Sequence, residues 1–200
     1  MKSESVAFAV AGMLFGLIAG WVIGSQQTGV RQPAGAAPPA AQGASSAAPA
    51  VDQAQVNAFS SVAEREPANA APRVQLGNLY FDAERYDDAI KWYTEALKLS
   101  ANDVDVSTDL GVSYYYTNQA DRALERFDRS LKIDPKHVKT LLNVGIVKAF
   151  GKQDLPGAQQ AWEQVIKIAP DSPEGQAARR ALDSLRAAHP GQGAAVKPGA

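Results

Sequence analysis

Apolar positions recur with a helical period through the middle of the chain, and the recurrence itself repeats every 34 residues. Leu76-Gly77 and Leu110-Gly111 are 34 apart, as are Gly111 and Gly145. Tyr80 and Tyr114 keep that offset, as do Ala89 and Ala123, Tyr93 and Phe127, and Leu97 and Leu131. Within each unit the apolar residues fall on one helical face. A self-similar period in this range is the mark of a stack of helix pairs, in which each pair buries its apolar face on the next. The pattern predicts an all-α solenoid over residues 51–188. A helix from Asp52 to Glu66 precedes the units, with Asp52 as its N-cap. Ser172-Pro173-Glu174 is a helix-start signal, so Ser172 to Ala188 reads as a polar-faced closing helix.

The pattern changes at both ends. Val6 to Gly24 holds 19 residues without a charge. As a helix it would span about 28 Å, close to the hydrocarbon thickness of a bilayer. That length favours a retained transmembrane anchor over 1–24 rather than a cleaved signal, whose apolar region is usually only about 7–15 residues. Trp21 sits near one end, where an indole suits the interface. Gly12, Gly16, Gly20 and Gly24 line one face of that helix, which would let another helix approach closely and permit a homo-oligomer. Residues 25–50 contain 26 positions, of which 23 are Ala, Pro, Gly, Ser or Gln. Such a segment buries too little apolar surface to offset ordering, so it reads as a disordered linker. Residues 189–200 read as a disordered tail of the same kind.

Charge and composition narrow the function. The chain has 20 Lys+Arg and 21 Asp+Glu, a formal net charge of -1, which argues against a nucleic-acid partner held through its phosphates. It has no cysteine and two histidines, His137 and His189, so thiol chemistry and cysteine-ligated metals are excluded. No phosphate loop, nucleophile elbow or HExxH motif occurs. The expectation is a non-enzyme without cofactor or metal. From Asp52 to Asp109 there are 11 acids and 5 bases, whereas Leu110 to Ala188 carries 9 acids and 12 bases. The two halves therefore have opposite charge, which could steer a dipolar partner or head-to-tail contacts. Lys2 before the apolar span and Arg31 after it give only a weak bias toward a cytoplasmic N-terminus.

The repeated residues resemble the tetratricopeptide repeat family. Leu76, Gly77, Tyr80, Ala89, Tyr93 and Ala96 carry the likeness in the first unit. Leu110, Gly111, Tyr114, Ala123, Phe127, Ser130 and Pro135 carry it in the second, and Val144, Gly145, Ala158, Trp162, Val165 and Pro170 in the third. Phe59 and Pro67 place Asp52–Glu66 as the second half of a further unit. The departures are Arg73 and Ser107 at positions of a large residue, Ala101 for a closing proline, and Lys148 for a tyrosine. The third unit also has an extra residue in its turn, GKQDLPGA. The family pattern implies that Gly77, Gly111 and Gly145 mark where the helices of a pair touch. It also implies that Tyr93, Phe127 and Trp162 fill the gap between successive units.

The resemblance further implies a groove lined by the first helix of each pair. Its positions here are Asn78, Phe81 and Asp82, then Asp105, Thr108, Asp109, Val112, Tyr115 and Tyr116, then Lys139, Leu142, Asn143, Ile146 and Phe150. One branch of the family grips a peptide carboxylate there with several cations and amides. Only Asn78 and Lys139 match that set, while Asp109 adds an acid, so carboxylate clamping is not expected. The remaining groove is aromatic and aliphatic, a surface suited to a peptide segment of another protein. The chain is similar to scaffolds of the bacterial envelope, which implies a single-pass protein of the inner (cytoplasmic) membrane with periplasmic repeats. The rival readings are a structural self-assembler and an accessory subunit of an envelope enzyme, such as a cytochrome c maturation system.

Overall fold

The computed structural model describes residues 49–188. The anchor expected over 1–24, its glycines Gly12, Gly16, Gly20 and Gly24, all but the last two residues of the 25–50 linker, and the 189–200 tail lie outside the described residues. Among the described residues no helix is long and apolar enough to cross a membrane.

Eight α-helices and no strand make up the described chain. They are α1 (Gln53–Arg65), α2 (Ala71–Asp82), α3 (Tyr86–Leu99), α4 (Val104–Tyr116), α5 (Ala120–Ile133), α6 (Val138–Ile146), α7 (Leu155–Ile168) and α8 (Pro173–Ala188). Each packs on its neighbour in sequence, and α6 also touches α4 and α8. The pairs α2–α3, α4–α5 and α6–α7 are the three repeat units, and α1 and α8 flank them.

Polar residues set the helix starts. The Asp52 carboxylate accepts from the amides of Ala54 at 3.0 Å and Gln55 at 3.1 Å, so the expected N-cap of α1 is present. Asp103 caps α4 through the Val106 amide, and Asp154 caps α7 through the Gly157 amide. The Ser172 hydroxyl accepts from the Gly175 amide at 3.0 Å, with Pro173 opening α8. Each cap satisfies a donor that the first helical turn leaves without an intrahelical partner.

Two apolar clusters hold the stack. One joins the first two units around Tyr93, Leu110, Tyr114 and Phe127, and the other joins the third unit to α8 around Leu141, Trp162, Val165 and Leu182. Tyr93, Phe127 and Trp162 are each essentially fully buried. Burying a side chain of this size contributes roughly 1.5–3 kcal/mol. The three rings do more than bridge successive units. Each lies directly on the glycine of its own pair, Tyr93 on Gly77, Phe127 on Gly111 and Trp162 on Gly145, where any Cβ would overlap the ring. The small residue is therefore required by an aromatic of the facing helix, not by backbone touching backbone.

The extra residue of the third unit is taken up before the turn. α6 runs into one π-helical turn, Val147–Gly151, and the Lys152 amide reaches back to the Val147 carbonyl at 3.0 Å. Insertion of one residue into an α-helix is commonly absorbed this way. The turns within the three repeat pairs share another feature. Glu84, Asn118 and Gln153 have φ of 57°, 60° and 55°, the left-handed region that glycine adopts at least cost.

Candidate functional site

The inner face is built from α2, α4 and α6, and its polar part runs across all three. The Tyr93 hydroxyl, from α3, donates to Asn78 Oδ1 at 2.9 Å. Lys139 Nζ lies 2.7 Å from Asp109 Oδ1, and Asn143 Nδ2 donates to the Lys139 carbonyl at 2.8 Å. The Asp109 side chain is a quarter exposed and Lys139 two-fifths. Burial pushes the Asp109 carboxyl above the usual carboxylate range, and the Lys139 ammonium opposes that rise. Burial likewise pushes the Tyr93 phenol up, helped by the charges of Asp109 and Asp82. The Lys139 cation, the charged group here that suits an anion, is thus engaged by a carboxylate.

The aromatic part gathers at the C-terminal ends of α2 and α4. Phe81 meets Tyr86 edge-on at 5.4 Å and Tyr116 at 6.1 Å. Tyr86 and Tyr116 stack with centroids 4.4 Å apart and planes within 9°. Tyr115 lies tilted against Tyr116 at 6.0 Å and reaches toward Gly151 at the end of the π turn. Burial raises the phenol pKa of Tyr86, Tyr115 and Tyr116. Beside the stack an open cleft of about 550 Å³ is bordered by Glu84, Arg85, Asp87 and Asp88.

Most residues the resemblance places in the groove are half-buried on this face: Asn78, Phe81, Asp109, Val112, Tyr115, Tyr116, Lys139, Asn143 and Ile146. Phe150 is exposed, in the π turn. Two residues require correction. Leu142 is a core residue, buried beside Leu141 and Trp162, and its carbonyl accepts from Trp162 Nε1 at 3.2 Å. Thr108 is fully buried, and its hydroxyl lies 2.6 Å from that of Thr140 while donating to the Val104 carbonyl at 2.7 Å. Leu142 packs into the third unit's core and Thr108 into the contact with the next unit's first helix. Tyr114 is buried as a repeat tyrosine should be, and its hydroxyl accepts from Arg122 at 2.7 Å.

Two features were not assigned from the sequence. Tyr86 completes the aromatic stack, and only its place next to the turn acids pointed to it. A chain of polar side chains also links α4 to the start of α6. His137 Nδ1 lies 2.7 Å from Thr140 Oγ1, and Nε2 lies 3.3 Å from Asp105. Because Thr140 is fully buried, this arrangement joins helices and presents no hydroxyl to a substrate. Among the described residues no three His, Asp or Glu side chains converge as a metal site requires.

Comparison with known proteins places this geometry. The family model described as TPR repeat matches residues 77–118, covering α3, α4 and the end of α2. The human protein O-mannosyl-transferase TMTC3 is 28% identical over 111 residues, 56% of this chain and 12% of that protein. Hsp70-Hsp90 organizing protein 3 of Arabidopsis thaliana is 25% identical over 109 residues, 54% of this chain and 19% of that protein. The chain thus matches only between about a tenth and a fifth of the length of these relatives. The first TPR of Spaghetti (RPAP3), solved bound to the HSP90 peptide SRMEEVD, superposes with a TM-score of 0.54 at 23% identity, covering 60% of this chain and 91% of that one. The 34-residue period, the ring-on-glycine packing and these matches together show that the described chain has the fold of a tetratricopeptide-like helical solenoid.

Proposed function

We propose that this chain is a scaffold that binds a segment of another protein along the inner face of its solenoid. The observation that supports this most is the band of half-buried aromatic and aliphatic side chains from Phe81 through Val112 to Ile146, carried on three successive first helices. Rings of this kind offer large contact area at low entropic cost. The RPAP3 domain, of the same fold, was solved bound to a peptide, which supports peptide binding as the use of this fold here. The uncharged stretch Val6–Gly24 and the linker behind it support a further element of the proposal. They would tether the solenoid to a membrane, with an envelope assembly as its setting. The activity is binding without catalysis.

The test is site-specific photo-crosslinking in native membranes. A benzoylphenylalanine at Val112 should capture one partner protein, and the same group at the outward-facing Ile133 should not. Equal capture at both positions, or capture of this chain alone, would remove the groove as the binding face.

A further inference from the structure

Resting on that reading, we infer that the groove selects a partner segment carrying Lys or Arg side chains between apolar residues, and disfavours an acidic one. The warrant is the charge left over after every pair on the inner face is formed. Lys139 is held by Asp109 at 2.7 Å, so it offers no unpaired cation. On the acid side, Asp82 forms no ion pair among the described residues. Asp105 is 72% exposed, and its one close partner is His137 at 3.3 Å. The face therefore carries three acids against one lysine.

The cleft beside the aromatic stack extends the same sign. Of its charged residues, Arg85 is closed onto Asp88, with Nε donating at 2.8 Å, and its guanidinium lies 4.8 Å from the centre of the Tyr80 ring. Glu84 and Asp87 form no ion pair among the described residues, and they border the cleft together with Tyr86 and Tyr116. A carboxylate entering here would meet like charge, which disfavours it. A guanidinium or ammonium would meet carboxylates, with aromatic faces alongside. The structure of RPAP3 with SRMEEVD shows the same fold holding a peptide that contains two glutamates and an aspartate. The charges here reverse that preference.

The experiment is selection of random 12-residue peptides by phage display against the full chain in detergent, followed by anisotropy on the selected peptides. Benzoylphenylalanine at Val112 verifies that they occupy the groove. The expected result is enrichment of Lys and Arg among aromatic and aliphatic residues. Replacing those cations with Gln should weaken binding about tenfold or more, and Asp82→Asn should also weaken it while leaving the thermal midpoint nearly unchanged. Groove-binding peptides rich in Asp and Glu, or indifferent to these changes, would overturn the charge preference and leave the groove reading standing. Selected peptides that never crosslink to Val112 would overturn both.

Discussion

The indole of Trp162 rests on Gly145, with its Nε1 donating to the carbonyl of Leu142 one turn earlier on the same helix. The bond fixes the ring's orientation, and the missing Cβ makes room for it. Phe127 on Gly111 and Tyr93 on Gly77 repeat the contact. A methyl at either glycine must displace a fully buried ring. Gly145→Ala should therefore destabilise by roughly 1–3 kcal/mol, and Gly111→Leu by more. Urea melts give the number directly. An unchanged midpoint for Gly111→Leu would show that Phe127 does not sit where the structure places it.

The left-handed turn residues predict the opposite sign. Glu84, Asn118 and Gln153 occupy a conformation that costs a side-chain-bearing residue about 1–2 kcal/mol. Glycine removes that strain but adds freedom to the unfolded chain. Glu84→Gly and Gln153→Gly should each stabilise by up to about 1 kcal/mol, and Asn118→Gly by less, because Asn tolerates this region. Midpoints measured on the three single variants should fall in that order.

How much of this was legible in the sequence follows from which forces are local. The period, the core rings, the Asp52 cap and the closing helix are visible because each depends on residue type at a fixed offset. The role of the glycines is less so. The offset shows that Gly111 is small, but only the facing helix shows that Phe127 requires it. Leu142 and Thr108 are not placed by sequence because one helical step, about 100°, separates the inner face from the contacts with neighbouring helices, and apolar or hydroxyl side chains suit either. Tyr86 escaped notice because its partner, Tyr116, lies 30 residues away. The extra residue of the third unit was countable, whereas its absorption into a π turn depends on hydrogen bonding that counting does not reveal.

Tyr116 serves the fold as well as the inner face. It stacks on Tyr86 and meets Phe81 edge-on, so it ties α4 to the first unit. Sequence alone suggests that Tyr115→Ala with Tyr116→Ala would spare folding relative to Tyr114→Ala. The stacking changes that expectation. Tyr116→Ala should cost about 1–3 kcal/mol in stability, of which aromatic pairing supplies roughly 0.5–1.5. Tyr116→Phe keeps the ring and should stay near the parent. Binding by the alanine variant is then to be measured well below its thermal midpoint, with the phenylalanine variant as the reference.

The buried hydroxyls give a non-additive pair. Thr140 receives His137 on one side and Thr108 on the other, and both threonines are fully buried. Thr140→Val leaves the His137 nitrogen and the Thr108 hydroxyl each short of a partner, at a cost of about 1–3 kcal/mol. Thr108→Val with Thr140→Val replaces both groups by apolar ones of the same shape. The double variant should be less destabilised than the sum of the two singles, by about 0.5 kcal/mol or more. A strictly additive cycle in urea would show that the two hydroxyls do not interact.

Asp109 and Lys139 make the fold's stability depend on pH in an unusual direction. Most carboxylates in folded chains are held low and stabilise as pH rises. Burial holds Asp109 above its ordinary value of 3.8, despite Lys139. Between the unfolded and the raised folded pKa, the folded state binds the proton that the unfolded state has released. Stability contributed by this group is therefore full below the ordinary carboxylate pKa and is lost as pH rises through the folded one. Other acids, such as Asp52, titrate the opposite way, so the difference between variants isolates Asp109. The stability of the parent minus that of Asp109→Asn should decline with rising pH from about 4 upward, then level once Asp109 is ionised in both states. Lys139→Met removes the opposing cation. It should carry the decline to higher pH and lower stability at pH 7 by about 1–3 kcal/mol. A difference curve that rises with pH would mean that Lys139 outweighs burial and that Asp109 is held low.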